Sequence, residues 1–328
     1  MHNIQERDIQ TGLNQAWHGL TNVVDTVTKE NSGIMYDLNF NRLTYTAPDE
    51  TVIETDSYQI SAADDNLPIG KPVSKKYQPF SNEQIWDMLD EALKGTHHVI
   101  QSIGTVADRS LGFVSVKIAD SFNAAGREHD PFLNIGWGHG GTLGVIGKTG
   151  ITCVVCENTF NAAMAEKSDF KVKLKHTRNA NLMDLTDAIE AHIGVTAEFQ
   201  MALEHMGQIK CQSHNAQRMY LGHLLENKAD KKVSSRTVNV MNRMTELYRE
   251  GKGNSGETMA DCFNGLTDYY THESAGGLEN TRKQFESSEF GSGSQNKSRF
   301  FKNIQKDHGE ELLAIGNKYW EDAMLVSN

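Results

Sequence analysis

The 328-residue chain has five prolines, four cysteines and no apolar run near the ~18 residues that a membrane helix needs. Four cysteines cannot staple a chain of this length, so a disulfide framework of the small secreted kind is excluded and reduced thiols are expected. Positive charge is also in deficit: 32 Lys and Arg face 43 Asp and Glu, a formal net charge of -11. Phosphate binding is driven by cations that release counterions, so this balance argues against a general nucleic-acid coat and leaves only a local basic groove. The polar opening MHNIQERDIQ lacks the apolar region of a secretory signal, and a cytoplasmic location is expected.

Hydrophobic residues make up 38% and charged residues 23%, a composition that folds rather than one that stays disordered. The length predicts about two domains. Ile34 to Thr46 alternates apolar and polar residues with period two, and Thr51 to Ile60 repeats the pattern more weakly. Ser81, three residues before Gln84, opens an amphipathic helix with Ile85, Met88, Leu89 and Leu93 on one face, and Gly95 ends it. Three strand runs follow, Leu111 to Asp120, Pro131 to Gly138 and Thr142 to Cys156. A helix is expected from Glu157 to Lys167, then a strand from Asp169 to Thr177. From Asn181 the period becomes helical, and Ser287 to Ser298 has the composition of a flexible connector. The predicted fold is α+β: an antiparallel β-meander core packed by helices in residues 1–180, and a mostly helical region in 181–328.

GHGGTLGVIGKTG, Gly138 to Gly150, nearly spells a phosphate loop. Five residues rather than four separate Gly141 from Gly147, however, and Thr149 leads into a strand, so glycine turns in a hairpin are favoured. Cys153 and Cys156 form a C-x-x-C pair; zinc would need two further ligands at comparable spacing, and buried small hydrophobes are the favoured reading. Thirteen histidines show no metal spacing, and no metal or cofactor is expected. His139 and His176 are the two that could act as ligands or acid–base groups, or equally as structural imidazoles.

Lys171, Lys173 and Lys175 alternate with Phe170, Val172 and Leu174, which gives a half-buried strand with a lysine face. Lys167 precedes it, and His176 and Arg178 end it. Such a run is either a solvated strand face or a track for a single-stranded polynucleotide. Lys148 and Arg109 would widen that surface if their strands adjoin it.

AWHGLT near the start, KPVSKKYQPFSNEQIWDML, the block ending GHGGTLGVIGKTGITCVVCENTFNAAM, KLKHT, NGLTDYYTH and FGSGSQNKSRFF occur in this order. Together they resemble the phage/plasmid-like family of unknown function found at laterally transferred loci. The resemblance spans nearly the whole chain. It implies that Trp17, His18, Gly19, Tyr77, His139, Gly141, Cys156, Asn158, Thr159, His176 and Thr177 are family positions, and it makes Ser287 to Ser298 a family segment rather than a linker. Family members carry an Arg before His-Thr, where this chain has Lys175, which keeps the charge and loses the bidentate fork. The implied setting is DNA metabolism of a mobile element in a bacterial host cell.

Strands from Leu111 to Cys156 followed by a helix from Asn158 are similar, at fold level only, to the core of single-strand annealing proteins of the Red-beta and RecT type. The expected function is therefore single-stranded DNA binding and annealing in recombination, by a homo-oligomer without nucleotide hydrolysis. The alternatives are a nuclease or nucleotide-modifying enzyme using His139, His176, Glu157 or Asp169, and a host-takeover protein whose helices bind another protein.

Overall fold

A computed structural model describes residues 10–13, 22–94, 96–106, 108–118, 120–141, 144–153, 159–161, 172–174, 184–227, 232–276, 283–284, 287–288 and 291–327. The described strands are β1 (Gln10–Gly12), β2 (Asn22–Val23), β3 (Leu38–Thr46), β4 (Val52–Ala62), β5 (Pro68–Ser74), β6 (Val99–Val106), β7 (Leu111–Lys117), β8 (Phe122–Ala124), β9 (Arg127–Gly138), β10 (Val145–Cys153), β11 (Thr159–Asn161) and β12 (Val172–Leu174). β3, β4 and β5 form an antiparallel meander. The larger sheet runs β11-β10-β9-β7-β6-β1-β2, with β12 also on β10 and β8 also on β9. Among the described strands, only β1 and β2 pair in parallel.

One face of the larger sheet is apolar because alternate residues of its strands are: Val114 and Val116 on β7, Leu133, Ile135 and Trp137 on β9. Helix α1 (Asn82–Leu93) covers it with Ile85, Trp86, Met88 and Leu89. The expected capping box is present, with Ser81 accepting from Gln84 N–H and the Gln84 side chain accepting from Ser81 N–H. β6 carries no clean alternation, because a register shift between Ile100 and Ser102 breaks the period.

The expected helix from Glu157 is corrected in part: Thr159–Asn161 is a strand, antiparallel to Gly150–Thr152 of β10. The edge of β10 presents unpaired N–H and C=O groups, and pairing them outweighs the helical propensity of a short segment.

The back half is helical as its period predicts: α2 (Asp184–Gln208), α3 (Ser213–Leu225), α4 (Ser235–Glu250), α5 (Met259–His272), α6 (Ser292–Asp307), α7 (Glu310–Lys318) and α8 (Trp320–Ser327). These helices share a core that includes Phe199, Tyr220, Tyr248, Phe263, Phe300 and Phe301. The connector reading fails over Ser292–Ser298, which is the first half of α6. Its polar composition hides a buried face: Ser294 and Lys297 continue into Phe301 and Ile304 at helical spacing. Lys297 is fully buried, with Nζ donating to Thr271 Oγ1 at 3.3 Å and Ser288 Oγ at 3.0 Å.

A buried ion pair joins sheet to helices. Arg127, at the start of β9, binds Asp261 through one terminal nitrogen, and its Nε donates to the Gly253 carbonyl at 2.7 Å. Asp261 is also the third residue of α5 and closes the capping box with Thr258. Among the described residues, no helix is long and apolar enough to cross a membrane.

Candidate nucleic-acid interface

The register of β6, β7, β9 and β10 fixes which residues share the second face of the larger sheet. Ser102 opposes Ser115, Ser115 opposes Asn134, and Asn134 opposes Lys148, so one transverse row across four strands is polar. On β12, Lys173 opposes Ile146, two residues before Lys148, which puts positions 148 and 173 on this same face. From strand spacings, their backbones are roughly 8 Å apart on the diagonal.

Within the row, Ser115 Oγ donates to Asn134 Oδ1 at 2.7 Å. Ser102 Oγ and Asn134 Nδ2 are buried and have no hydrogen-bond partner among the described residues. Most buried polar groups are satisfied, so two such atoms in one row mark this face as unusual. Further along it, Lys117 is neutralised: its Nζ lies 2.8 Å from Asp130 Oδ1, and Ser121 completes the cluster.

Arg109 departs from its expected role. It is buried beneath the meander rather than adjoining the lysine positions, with Nη1 2.7 Å from Asp64 Oδ1 and its guanidinium 4.5 Å from the centre of the Tyr36 ring. That hydrogen bond holds the Asp64 carboxyl below the ordinary carboxylate range. An ion pair with these partners has no cation left for phosphate. Lys167, Lys171, Lys175, His176 and Arg178 lie outside the described residues, as do Trp17, His18, Gly19, Cys156, Glu157, Asn158, Asp169 and Thr177. Thr159 stands on β11 opposite Thr152.

Tyr77, His139 and Gly141, three of the residues that the resemblance singles out, lie around the glycine turn and hold the meander against the larger sheet. Tyr77 donates its hydroxyl to the Gly138 carbonyl at 3.1 Å and accepts from Gly141 N–H at 3.3 Å, so one phenol spans the turn. Burial pushes that phenol up to about 12, which keeps its proton in place as a donor. Gly141 itself sits at φ +71, a conformation that suits glycine. His139 is fully buried, with Nε2 3.0 Å from Asn82 Oδ1. The same Asn82 oxygen accepts from Trp137 Nε1 at 3.4 Å, while Asn82 Nδ2 donates to the Tyr36 carbonyl at 3.1 Å. Asn82 went unmarked in the sequence because its place in the first turn of α1 looks like an ordinary solvated one. Among the described residues, no group of three His, Cys, Asp or Glu side chains has the arrangement of a metal site, and Cys211 and Cys262 are buried free thiols.

His129 on β9 stacks on Phe122 at 5.3 Å, and its Nδ1 lies 3.0 Å from the Arg127 carbonyl. Burial lowers it to about 4 from the ordinary 6.5, so the folded protein keeps it neutral while the unfolded chain protonates. The unfolded state then binds the extra proton, and stability falls as pH drops from 6.5 towards 4, by up to roughly 3 kcal/mol. Asp268 acts with the opposite sign: burial raises it to about 6, so the folded state takes its proton first and gains stability as pH falls from about 6 towards the ordinary 3.8. Urea titrations of His129→Gln across this window are expected to show a shallower acid loss than the parent; an equal slope would assign the loss elsewhere.

A family model described as a domain of unknown function (DUF932) matches residues 71–306. No curated protein and no solved structure matches the chain.

Proposed function

Because the chain belongs to the family described as a domain of unknown function (DUF932), which assigns no reaction, we propose a function from the arrangement of its own sheet: binding and annealing of single-stranded DNA, without nucleotide hydrolysis. The setting of this proposal is recombination of phage or plasmid DNA in the cytoplasm of a bacterial host. The observation that supports it is the register that gives positions 148 and 173, both lysines in the sequence, the same parity on adjoining strands. Cations on neighbouring strands follow a flexible phosphate backbone, which suits a strand bound without strong sequence preference. Arg109 and Lys117 are left out of the track because carboxylates already hold them.

Binding of a labelled oligonucleotide, followed by anisotropy over a salt series, tests this reading. Each phosphate contact on a single strand contributes about 0.7 to the slope of log affinity against log salt, so Lys148→Gln/Lys173→Gln is expected to bind more weakly and to flatten the slope by about 1.4. A double variant that matches the parent in both affinity and slope overturns the proposal. Shortening of the oligonucleotide in the presence of divalent cations would replace annealing with nuclease chemistry.

A further inference from the structure

The meander does not end where its third strand does. β5 pairs with β4 as far as Ser57 opposite Ser74, whereas β3 and β4 continue together to Thr46 opposite Val52. Beyond Ser57 the hairpin is therefore a two-stranded arm about 20 Å long, taking some six residues per strand. Every residue of it from Thr44 to Glu54 except Ala47 is exposed. Tyr45 and Ile53, which oppose each other, are 56% and 37% exposed, and Val52 is 63% exposed. A lone two-stranded ribbon is marginal in water, and an exposed Tyr45–Ile53 pair on one face with Val52 exposed on the other is more apolar surface than a solvated hairpin needs.

Charge identifies what covers it. Between Thr44 and Asp56 the sequence has four carboxylates and no Lys or Arg. Arg42 pairs with Glu54, and with Asp56 at 3.8 Å, which leaves Asp49 and Glu50 at the tip without a cation. Lys75 and Lys76 just past the end of β5, at the root, and Lys71 three residues before that end are exposed and have no carboxylate partner among the described residues. Tip and root of one molecule are separated by about twice the ~8–10 Å Debye length at physiological salt, so they do not neutralise each other. Two arms laid antiparallel about a two-fold axis place each acidic tip over the other molecule's basic root. The same arrangement brings the Tyr45–Ile53 pairs together.

We propose that the β3–β4 arm is a self-association element that docks on the Lys71–Lys76 segment of a second copy of this chain. The contact is isologous, each copy giving an arm and receiving one.

The test is the molar mass of the full chain without DNA, by light scattering or sedimentation over a range of concentration and salt. The parent is expected to form a dimer or a multiple of it that weakens as salt rises. Asp49→Lys/Glu50→Lys reverses the tip and Lys71→Glu/Lys75→Glu/Lys76→Glu reverses the root; each variant alone is expected to be monomeric. Mixed one to one they are expected to restore the dimer, because each reversed tip then meets a reversed root, an outcome that misfolded variants would not give. Tyr45→Ser/Ile53→Ser is expected to weaken the parent dimer while leaving the circular dichroism spectrum unchanged. A parent that stays monomeric at its highest soluble concentration, variants that associate like the parent, or a mixture that stays monomeric each overturns the proposal. Because no DNA is present, the outcome is independent of whether the chain binds it.

Discussion

Asp261→Ala is expected to lower the unfolding free energy by about 3–5 kcal/mol in a denaturant titration, the range found when one partner of a buried ion pair is removed. The carboxylate serves four donors: an Arg127 terminal nitrogen, Ser255 Oγ at 2.7 Å, Glu257 N–H at 3.1 Å and Thr258 N–H at 3.0 Å. Truncation therefore opens the first turn of α5, where a lost cap alone is worth about 1 kcal/mol, and also leaves a guanidinium buried with only the Gly253 carbonyl and Asn254 Oδ1 as acceptors. Burial raises the Asp261 carboxyl, but the hydrogen bonds from Ser255 and Glu257 and the Arg127 charge prevail and hold it below the ordinary carboxylate range, so it remains the anion at neutral pH. Arg127→Met is expected to be milder, because Asp261 keeps its other three donors. The double variant should lose less than the sum of the two, which is the signature of a direct pair. A loss under about 1 kcal/mol for Asp261→Ala would place the pair with ordinary surface salt bridges and refute its role in joining sheet to helices.

Gly222→Ala and Gly316→Ala are each expected to destabilise by about 3 kcal/mol, the upper end of the range for overpacked sites. Helices α3 and α7 cross where these two glycines lie. A Cβ on Gly222 would stand 2.0 Å from the Leu312 carbonyl oxygen, and one on Gly316 would stand 1.9 Å from that of Arg218. Ordinary contact begins at 3.4 Å, so the helices would have to part by about 1.4 Å or more, and the opposing atoms are backbone that no rotamer change can move. Parting them would also disturb the Arg218 guanidinium, which sits 4.5 Å from the centre of the Trp320 ring and ties α8 to α3. Thermal unfolding of the two variants measures the effect; a midpoint unchanged for both would show that the crossing is loose.

Local signals in the sequence survived into the structure where one segment carried its own instructions. The Ser81–Gln84 box and the apolar stripe of α1 needed no distant partner to be read; β3 follows from alternation, and β7 and β9 from β-branched and aromatic runs bounded by Gly, Asn and Asp. The α+β class and the helical back half followed from the change of period near Asn181. What remained hidden depended on neighbours. Thr159–Asn161 is a strand because an edge of β10 stands beside it, and Ser292–Ser298 is helical because its small polar residues face a core assembled from other helices. The site shows the same division. Alternation alone gives position 173 the opposite parity to 172 and 174, but only strand order brings it beside position 148. Arg109 looked like one more cation until Asp64, 45 positions earlier, proved to be its partner. The row Ser102–Ser115–Asn134 is invisible to any one-dimensional scan, since its members are 13 and 19 positions apart and meet only through register.

The phenol of Tyr77 also bears on the order of events during biosynthesis. Its two contacts in the glycine turn lie 61 and 64 positions downstream, so a ribosome releases the meander and its tyrosine well before the backbone that they clasp. The clasp can close only after the β9–β10 connection has itself been synthesised, so the tyrosine is the early partner of the pair and the turn the late one.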